Sequence, residues 1–162
     1  MSTRRTSLWS VLPPRDAECD LFAPEIAKWM SIVLERDISS DLLTELEKGD
    51  LLCELFIKLC PNERFGKYHR NAMMDIWKRD NMKLFADATN HYGVPKSALM
   101  SYTYFESKNV TIMDMHLRNQ EAMLITSLLV FVKVLIEKQG AEAIHLPESF
   151  IKTSNPDRFN RL

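Results

Sequence analysis

The residue types that most often do chemistry in enzymes are scattered along this sequence, without the spacing that catalysis or metal binding needs. The four histidines, His69, His91, His116 and His145, lie far apart, and none forms an HExxH pair or stands beside a cysteine at zinc-finger spacing. The four glycines cannot be arranged as a phosphate-binding GxGxxG or GxxxxGK[ST] loop. We therefore predict that the protein is not an enzyme and that it holds no metal and no cofactor.

The three cysteines, Cys19, Cys53 and Cys60, include no CxxC pair. Cys53 and Cys60 would lie about 10 Å apart along one helix, which is too far for a disulfide. Because they share an apolar helix face, we interpret them as small core residues rather than as nucleophiles. Residues 1–14 contain no apolar run of signal-peptide length. These features predict a reducing, cytoplasmic setting.

Charge is balanced over the whole chain but unevenly distributed. The net charge is -1, so the chain has no general attraction to nucleic acid or membranes. Residues 58–83 carry seven cations against three carboxylates, whereas residues 35–54 carry seven carboxylates against two cations. The seven cations are Lys58, Arg64, Lys67, Arg70, Lys78, Arg79 and Lys83.

We predict that this basic stretch binds an acidic protein surface, with anionic lipid headgroups as an open alternative. A second alternative is that the charges only solubilise the surface. Nucleic acid is not predicted as a partner, because no aromatic-basic stacking pattern accompanies the charge.

Helical periodicity describes the elements that must position these residues. The first helix is predicted from Pro24 to about residue 36, where apolar residues recur at helical spacing. Further helices are predicted over residues 39–49, 50–60, 80–91 and 121–138, with a loop over 61–74 and a short helical turn at 97–100.

The predicted helix 121–138 is apolar around most of its circumference, so it should lie at the centre of a bundle. Its apolar run is shorter than the ~20 residues of a membrane span and contains Lys133. With so few glycines for tight turns, the fold class is predicted to be all-α. We expect Met30, Met82, Met123 and the methionines of NAMMD to fill the core, although a plastic partner groove is the alternative.

The predicted domain organisation has three parts. Residues 1–22 form an irregular leader, residues 23–140 form one helical domain, and residues 141–162 form a linker or tail. No internal repeat is present to suggest a second copy of the domain.

Four stretches, in this order, resemble the calponin-homology family. They are EIAKWMSIVLERDI (25–38), LEKGDLLCEL (46–55), NMKLFADATNHYGVPKSAL (81–99) and FESKNVT (105–111). The residues at family positions are Trp29, Leu46, Gly49, Leu52, Cys53, Leu55, Asn81, Phe85, Gly93, Val94 and Pro95. The resemblance covers about residues 24–138 and implies a compact bundle of four main helices plus short connecting helices.

The resemblance is to the single-copy domains of calponins, transgelins, IQGAP proteins and Vav-like exchange factors. The chain departs from the family pattern in two ways. EKGDLL stands where KDGVVL is usual, and MSYTYFESKN replaces an acidic-hydrophobic pattern and is followed by about ten extra residues, Val110 to Gln120, before the last helix. The chain thus resembles an atypical member with an insertion.

The resemblance implies a non-catalytic protein-protein interaction module of a cytoskeletal or Rho-signalling protein, located in the cytoplasm and associated with the cytoskeleton. It would bind F-actin weakly and help to regulate actin organisation. One alternative is an autoinhibitory or regulatory domain of a Rho guanine nucleotide exchange factor or scaffold, which contacts neighbouring domains of its own chain and does not bind actin directly. Another is a microtubule-binding module.

Overall fold

Six α-helices follow one another in the computed structural model, which describes residues 20–106 and 113–154. They are α1 (Asp20–Leu34), α2 (Leu42–Leu46), α3 (Asp50–Leu59), α4 (Asp75–Tyr92), α5 (Met113–Gln139) and α6 (Glu148–Ser154). Two 3-10 turns, Lys96–Ala98 and Tyr102–Phe105, join α4 to α5. Within these described ranges no strand occurs, so the predicted all-α class is confirmed, with α1, α3, α4 and α5 as the four long helices.

Helix α5 lies at the centre of the bundle, as its apolar circumference predicts. Leu124, Leu128 and Leu135 have no exposed surface. The ring of Phe131 packs against Phe56 of α3 at 6.2 Å and against Phe85 of α4 at 5.5 Å. One aromatic cluster therefore ties three of the four long helices together.

Helix α1 presents the predicted apolar face to this core, with Ile26, Trp29 and Met30 fully buried. It begins at Asp20, however, so Pro24 lies inside the helix rather than at its start. Burial of Phe22 stabilises the additional turn, and it offsets the loss of the backbone hydrogen bond that Pro24 cannot donate. Residues 20–22 thus belong to the domain, whereas the rest of the predicted leader, residues 1–19, lies outside the described residues.

Two other helices are longer than their sequence pattern suggests. Helix α4 begins at Asp75 rather than Asp80, because the carbonyl of Met74 accepts hydrogen bonds from the backbone N–H groups of Trp77 and Lys78. Helix α5 begins at Met113, so residues 113–120 of the predicted insertion continue the last helix. Residues 107–112 lie outside the described residues.

Residues 141–153, predicted as linker or tail, pack on the helical body through two core side chains. Ile144 and Phe150 have no exposed surface, and the indole Nε1 of Trp29 donates a 2.7 Å hydrogen bond to the carbonyl of Ile144. The ring of Phe150 lies 6.4 Å from Trp29 and 6.2 Å from Phe22. The sequence pattern missed this segment because it is too short to show a helical stripe, and residues 155–162 of the predicted tail lie outside the described residues.

We expect Phe150→Ala to lower the free energy of unfolding by about 3–5 kcal/mol, because it removes a fully buried aromatic ring. Urea denaturation followed by circular dichroism measures the change. The control is Lys152→Ala on an exposed position of the same helix, which should stay within about 0.5 kcal/mol of the original chain. Equal stabilities of the two variants would show that α6 is not needed by the core.

Candidate functional site

Three of the seven cations of the basic stretch, Arg64, Lys67 and Arg70, lie on a loop that is anchored by one buried side chain. Asn81, on α4, has no exposed surface. Its Nδ2 donates 2.9 Å hydrogen bonds to the carbonyls of Lys48 and His69, and its Oδ1 accepts a 2.8 Å bond from the backbone N–H of His69. One amide therefore joins α4, the turn between α2 and α3, and the loop 61–74.

Gly49 allows the close approach that this arrangement needs. Its φ is +75°, in the left-handed region that favours glycine, and a Cβ at this position would lie 2.7 Å from the Cβ of Asn81. Both the backbone conformation and the available space therefore require glycine here.

Other contacts hold the remainder of the loop. The backbone N–H of Asn71 donates a 2.8 Å hydrogen bond to Asp50 Oδ2, and Lys48 Nζ donates a 2.7 Å bond to Asn71 Oδ1. Ala72 is fully buried, and the ring of Phe65 packs 5.6 Å from Phe56. The loop, called the cationic loop (residues 61–74) below, is thus fixed along its length rather than loosely attached.

Four of the seven predicted cations lie on or beside this loop and face solvent. Lys58 is in the last turn of α3, and Arg64, Lys67 and Arg70 are in the cationic loop. Among the described residues, no carboxylate forms an ion pair with any of the four, and Arg70 instead places its guanidinium 5.3 Å from the ring centre of Tyr68. These four cations remain available to a partner.

The other three predicted cations are engaged within the domain. Lys78 Nζ lies 3.1 Å from Glu47 Oε2 and Lys83 Nζ lies 2.9 Å from Asp87 Oδ2. Arg79 pairs with Glu106 at 2.6 Å and also lies 5.1 Å from the ring centre of Tyr102. The seven residues therefore do not form one uniform basic patch.

Lys78 is the most enclosed of the seven, with 13% of its side chain exposed. Burial alone lowers the pKa of Lys78, but the hydrogen bond and the charge of Glu47 outweigh it, so this pKa is raised above its ordinary value. A raised lysine pKa means that the ion pair stabilises the fold at neutral pH and loses this effect only at strongly alkaline pH.

An open groove of about 490 Å³ separates the cationic loop from α4. Its lining includes the apolar side chains of Phe56, Phe65 and Leu84, and Arg64 and Asp87 also contribute to it. The groove thus carries both charge signs beside its apolar lining, and His91 also lines it.

Cys53 and Cys60 are core residues, which confirms their interpretation from the sequence, whereas Cys19 lies outside the described residues. Cys53 and Cys60 are both buried. Burial raises the pKa of the Cys53 thiol strongly. Burial is also the largest influence on the Cys60 thiol, whose pKa is raised to about 11. Both are therefore protonated at neutral pH and are poor nucleophiles.

In the part of the chain that the structure describes, no group of histidine, cysteine and acidic residues is placed to hold a metal ion. The same residues include no helix with the length and apolar content of a membrane span.

The sequence pattern missed a group of exposed apolar residues where the cationic loop ends and α4 begins. Met73, Met74, Ile76 and Trp77 are 67%, 52%, 60% and 39% exposed. The expectation that methionines fill the core is confirmed for Met30 and Met82, which are 0% and 2% exposed, but it is wrong for Met73 and Met74, and Met123 is 38% exposed. The run MMDIW carried only a partial signal: Ile76 lies off the inward stripe of α4, whereas Trp77, one turn before the buried Asn81, lies on it.

The chain is similar in sequence to part of a larger protein. Over 91 residues, 56% of this chain, it is 29% identical to a calponin homology and LIM domain-containing protein of Dictyostelium discoideum. The matched region is 12% of that relative's length. No protein-family model and no solved structure matches the chain. The relative's name includes the family that the residue pattern resembles.

We expect Gly49→Ala to destabilise the domain more than the same change at Gly140. Both glycines have positive φ, but a Cβ at Gly140 would meet nothing within 4 Å. Gly140→Ala should therefore cost only the backbone strain of about 1–2 kcal/mol, while Gly49→Ala adds about 1–3 kcal/mol from the contact with Asn81. Thermal and urea unfolding of the two variants measures the difference, and equal losses would contradict the close packing at Asn81.

Charge reversal should lower stability more at Lys78 than at Lys83. Lys78→Glu places a carboxylate against Glu47 in a partly buried site and should lower the free energy of unfolding by about 1–3 kcal/mol. Lys83→Glu places a carboxylate one turn from Asp87 at an exposed site and should lower it by less than about 1 kcal/mol. Urea denaturation at neutral pH compares the two, and a stable Lys78→Glu variant would show that the pair with Glu47 contributes little.

Proposed function

We propose that this chain is a calponin-homology-type module that binds other proteins and does no catalysis, and that its direct partner is F-actin. The family part of the proposal is supported by the similarity to the Dictyostelium relative and by the all-helical bundle built around Trp29 and α5. Gly49 and Asn81, which both match the family pattern, also form the contact that holds the cationic loop.

The observation that carries the actin proposal is the set of four solvent-facing cations, Lys58, Arg64, Lys67 and Arg70, at the cationic loop. They have no carboxylate partner among the described residues, so a partner does not first have to break an internal ion pair. Because Asn81 fixes the loop backbone, little ordering is needed when a partner binds. An acidic filament surface provides the complementary charge.

The physical character of these residues predicts weak binding. A stable interface usually buries about 800 Å² on each partner, and four exposed cations provide only part of this. Exposed charges act over a Debye length of about 8–10 Å at physiological ionic strength, so binding should weaken with added salt. Such a module fits a cytoplasmic protein in which other domains add contacts with the cytoskeleton.

A regulatory function is the second candidate, in which the module restrains a neighbouring domain or contacts a signalling protein instead of actin. It is favoured by the exposed apolar group Met73, Met74, Ile76 and Trp77, because a purely electrostatic contact would not use these side chains.

Co-sedimentation with F-actin tests the first candidate. We expect the purified chain to pellet with filaments at low salt and less at physiological salt. The double variant Arg64→Glu, Lys67→Glu should lose this pelleting, since both side chains are exposed and unpaired within the described residues. The matched control Lys96→Glu, Lys152→Glu makes the same change in net charge at exposed sites outside the cationic loop and should pellet normally.

Two results would contradict the actin proposal. The first is no pelleting of the unmodified chain at either salt, which would leave the regulatory function. The second is an equal loss of pelleting in both double variants, which would reflect net charge rather than the cationic loop. The same co-sedimentation assay with microtubules in place of F-actin tests the alternative of a microtubule-binding module.

A further inference from the structure

Two exposed carboxylates lie among the exposed apolar side chains at the start of α4. The apolar residues, called the α4 apolar patch below, are Met73, Met74, Ile76 and Trp77. Asp75 lies between them in sequence, and Asp80 lies one helical turn after Ile76. A contiguous exposed apolar group usually marks an interaction site. The two carboxylates then limit which partners can cover it.

Cations of the domain do not neutralise these two carboxylates. Among the residues that the structure describes, Asp75 forms no ion pair, and Asp80 pairs with the imidazole of His69 at 3.3 Å, which is not a permanent cation. The nearest cations along α4, Lys78 and Arg79, pair with carboxylates of other elements. The surface around the α4 apolar patch is therefore acidic, although the cationic loop precedes it directly.

The fold holds the α4 apolar patch in place before any partner binds. Ala72 is fully buried directly before the patch begins. The imidazole of His69 stacks on Trp77, with ring centres 5.3 Å apart and an interplanar angle of 12°. Because Asn81 bonds both the N–H and the carbonyl of His69, this support of Trp77 is rigid. A preordered aromatic side chain loses little conformational entropy on binding and is a frequent source of binding energy.

Anionic partners do not suit this surface. The phosphate groups of lipids or nucleic acids would approach Asp75 and Asp80 with like charge. Inserting Ile76 into a bilayer would also move the neighbouring carboxylates out of water. The same repulsion disfavours the acidic partner that we propose for the cationic loop, so the two surfaces call for different partners.

A second copy of this chain is also poorly matched. In a two-fold symmetric contact the same surface faces itself, so Asp75 and Asp80 of one copy would lie close to those of the other. The four apolar side chains expose on the order of 400 Å², whereas a stable dimer buries about 800 Å² on each copy. A short segment of a different protein can cover this area without the like-charge contact.

A segment that carries lysine or arginine beside apolar residues fits both properties of the surface. Its apolar side chains remove Ile76 and Trp77 from water, which provides the binding energy. Its cations lie at the edge of the contact, next to Asp75 and Asp80. Complementary charge there selects the correct partner and its orientation.

We propose that the α4 apolar patch binds a short basic segment of another protein, in which lysine or arginine lies beside apolar residues. The apolar residues of the segment cover the patch, and its cations pair with Asp75 and Asp80. This site is separate from the proposed actin contact at Arg64 and Lys67 and does not depend on it.

Selection from a displayed library of random 16-residue peptides tests this proposal, with the intact chain as target and its Ile76→Ser variant for counter-selection. Enriched peptides should combine apolar residues with Lys or Arg. The affinity of the synthetic peptides should fall about tenfold or more for Ile76→Ser. It should fall about threefold or more for the double variant Asp75→Asn, Asp80→Asn, which removes two exposed ion pairs.

A change in the peptide tests the same ion pairs on the unmodified protein. Replacing the Lys and Arg residues of a selected peptide by Gln should weaken its binding to the intact chain by a similar factor. The Gln peptide should bind the Asp75→Asn, Asp80→Asn variant no more weakly than the original peptide does, because the pairs are already absent there.

Two control variants make matched changes outside the patch. The double variant Asp37→Asn, Asp41→Asn removes two exposed carboxylates between α1 and α2. Ile57→Ser changes another exposed isoleucine, on α3. Both should bind the selected peptides like the original chain, and circular dichroism should show the same helical content in all variants.

Several outcomes would overturn the proposal. Absence of peptides that distinguish the intact chain from Ile76→Ser would remove the site, as would equal loss in the control variants. Enriched peptides without Lys or Arg, or with full affinity for the Asp75→Asn, Asp80→Asn variant, would exclude a basic partner.

Other outcomes would assign the patch to a different occupant. Ile76-dependent self-association in sedimentation velocity would make it a second copy, and Ile76-dependent flotation with phosphatidylserine vesicles would make it a membrane. Residues 1–14 themselves contain arginines and apolar residues. Tighter peptide binding after their removal would make this segment of the same chain the occupant.

The actin proposal is tested independently of this one. Ile76→Ser should pellet with F-actin like the original chain, because it leaves Arg64 and Lys67 unchanged. The double variant Arg64→Glu, Lys67→Glu should bind the selected basic peptides at least as tightly as the original chain. Loss of one activity without the other therefore identifies which of the two proposals fails.

Discussion

The buried amide of Asn81 is the interaction on which both surfaces of this domain depend. It satisfies both backbone groups of His69 and the carbonyl of Lys48, and α4 holds it in the core. A buried hydrogen bond contributes only about 1 kcal/mol net, but leaving its partners unsatisfied costs about 1–3 kcal/mol for each group. Asn81 therefore makes one conformation of the cationic loop strongly preferred. Gly49 allows the turn between α2 and α3 to approach the Asn81 side chain closely.

Two surfaces of different character follow from this single constraint. On one side of His69 the loop displays Arg64 and Lys67, whose long-range attraction decreases with salt. On the other side the His69 ring supports Trp77 at the start of α4, where contact depends on removal of apolar surface from water and is little affected by salt. The described fold therefore presents a cationic surface and an apolar surface on either side of one rigidly held residue.

The last described residues of the chain complete the core beneath these surfaces. Burial of Trp29 requires a hydrogen-bond acceptor for its indole N–H, and the carbonyl of Ile144 provides it. Phe150 then packs against the indole and also contacts Phe22 near the start of α1. Residues from both ends of the described chain thus meet at Trp29, and the folded unit extends beyond the last helix that the periodicity indicates.

Local periodicity in the sequence determined the helical class, the inward face of α1, the central position of α5 and the burial of Cys53 and Cys60. These properties follow from residues within one or two turns of each other, where a single sequence carries the whole signal. Only the tertiary structure decided which cations face solvent, because the partners of Lys78 and Arg79 are Glu47 and Glu106, 31 and 27 residues away. It likewise decided that Phe150 is buried and Trp77 partly exposed, since burial depends on which distant elements pack over a side chain rather than on its hydrophobicity.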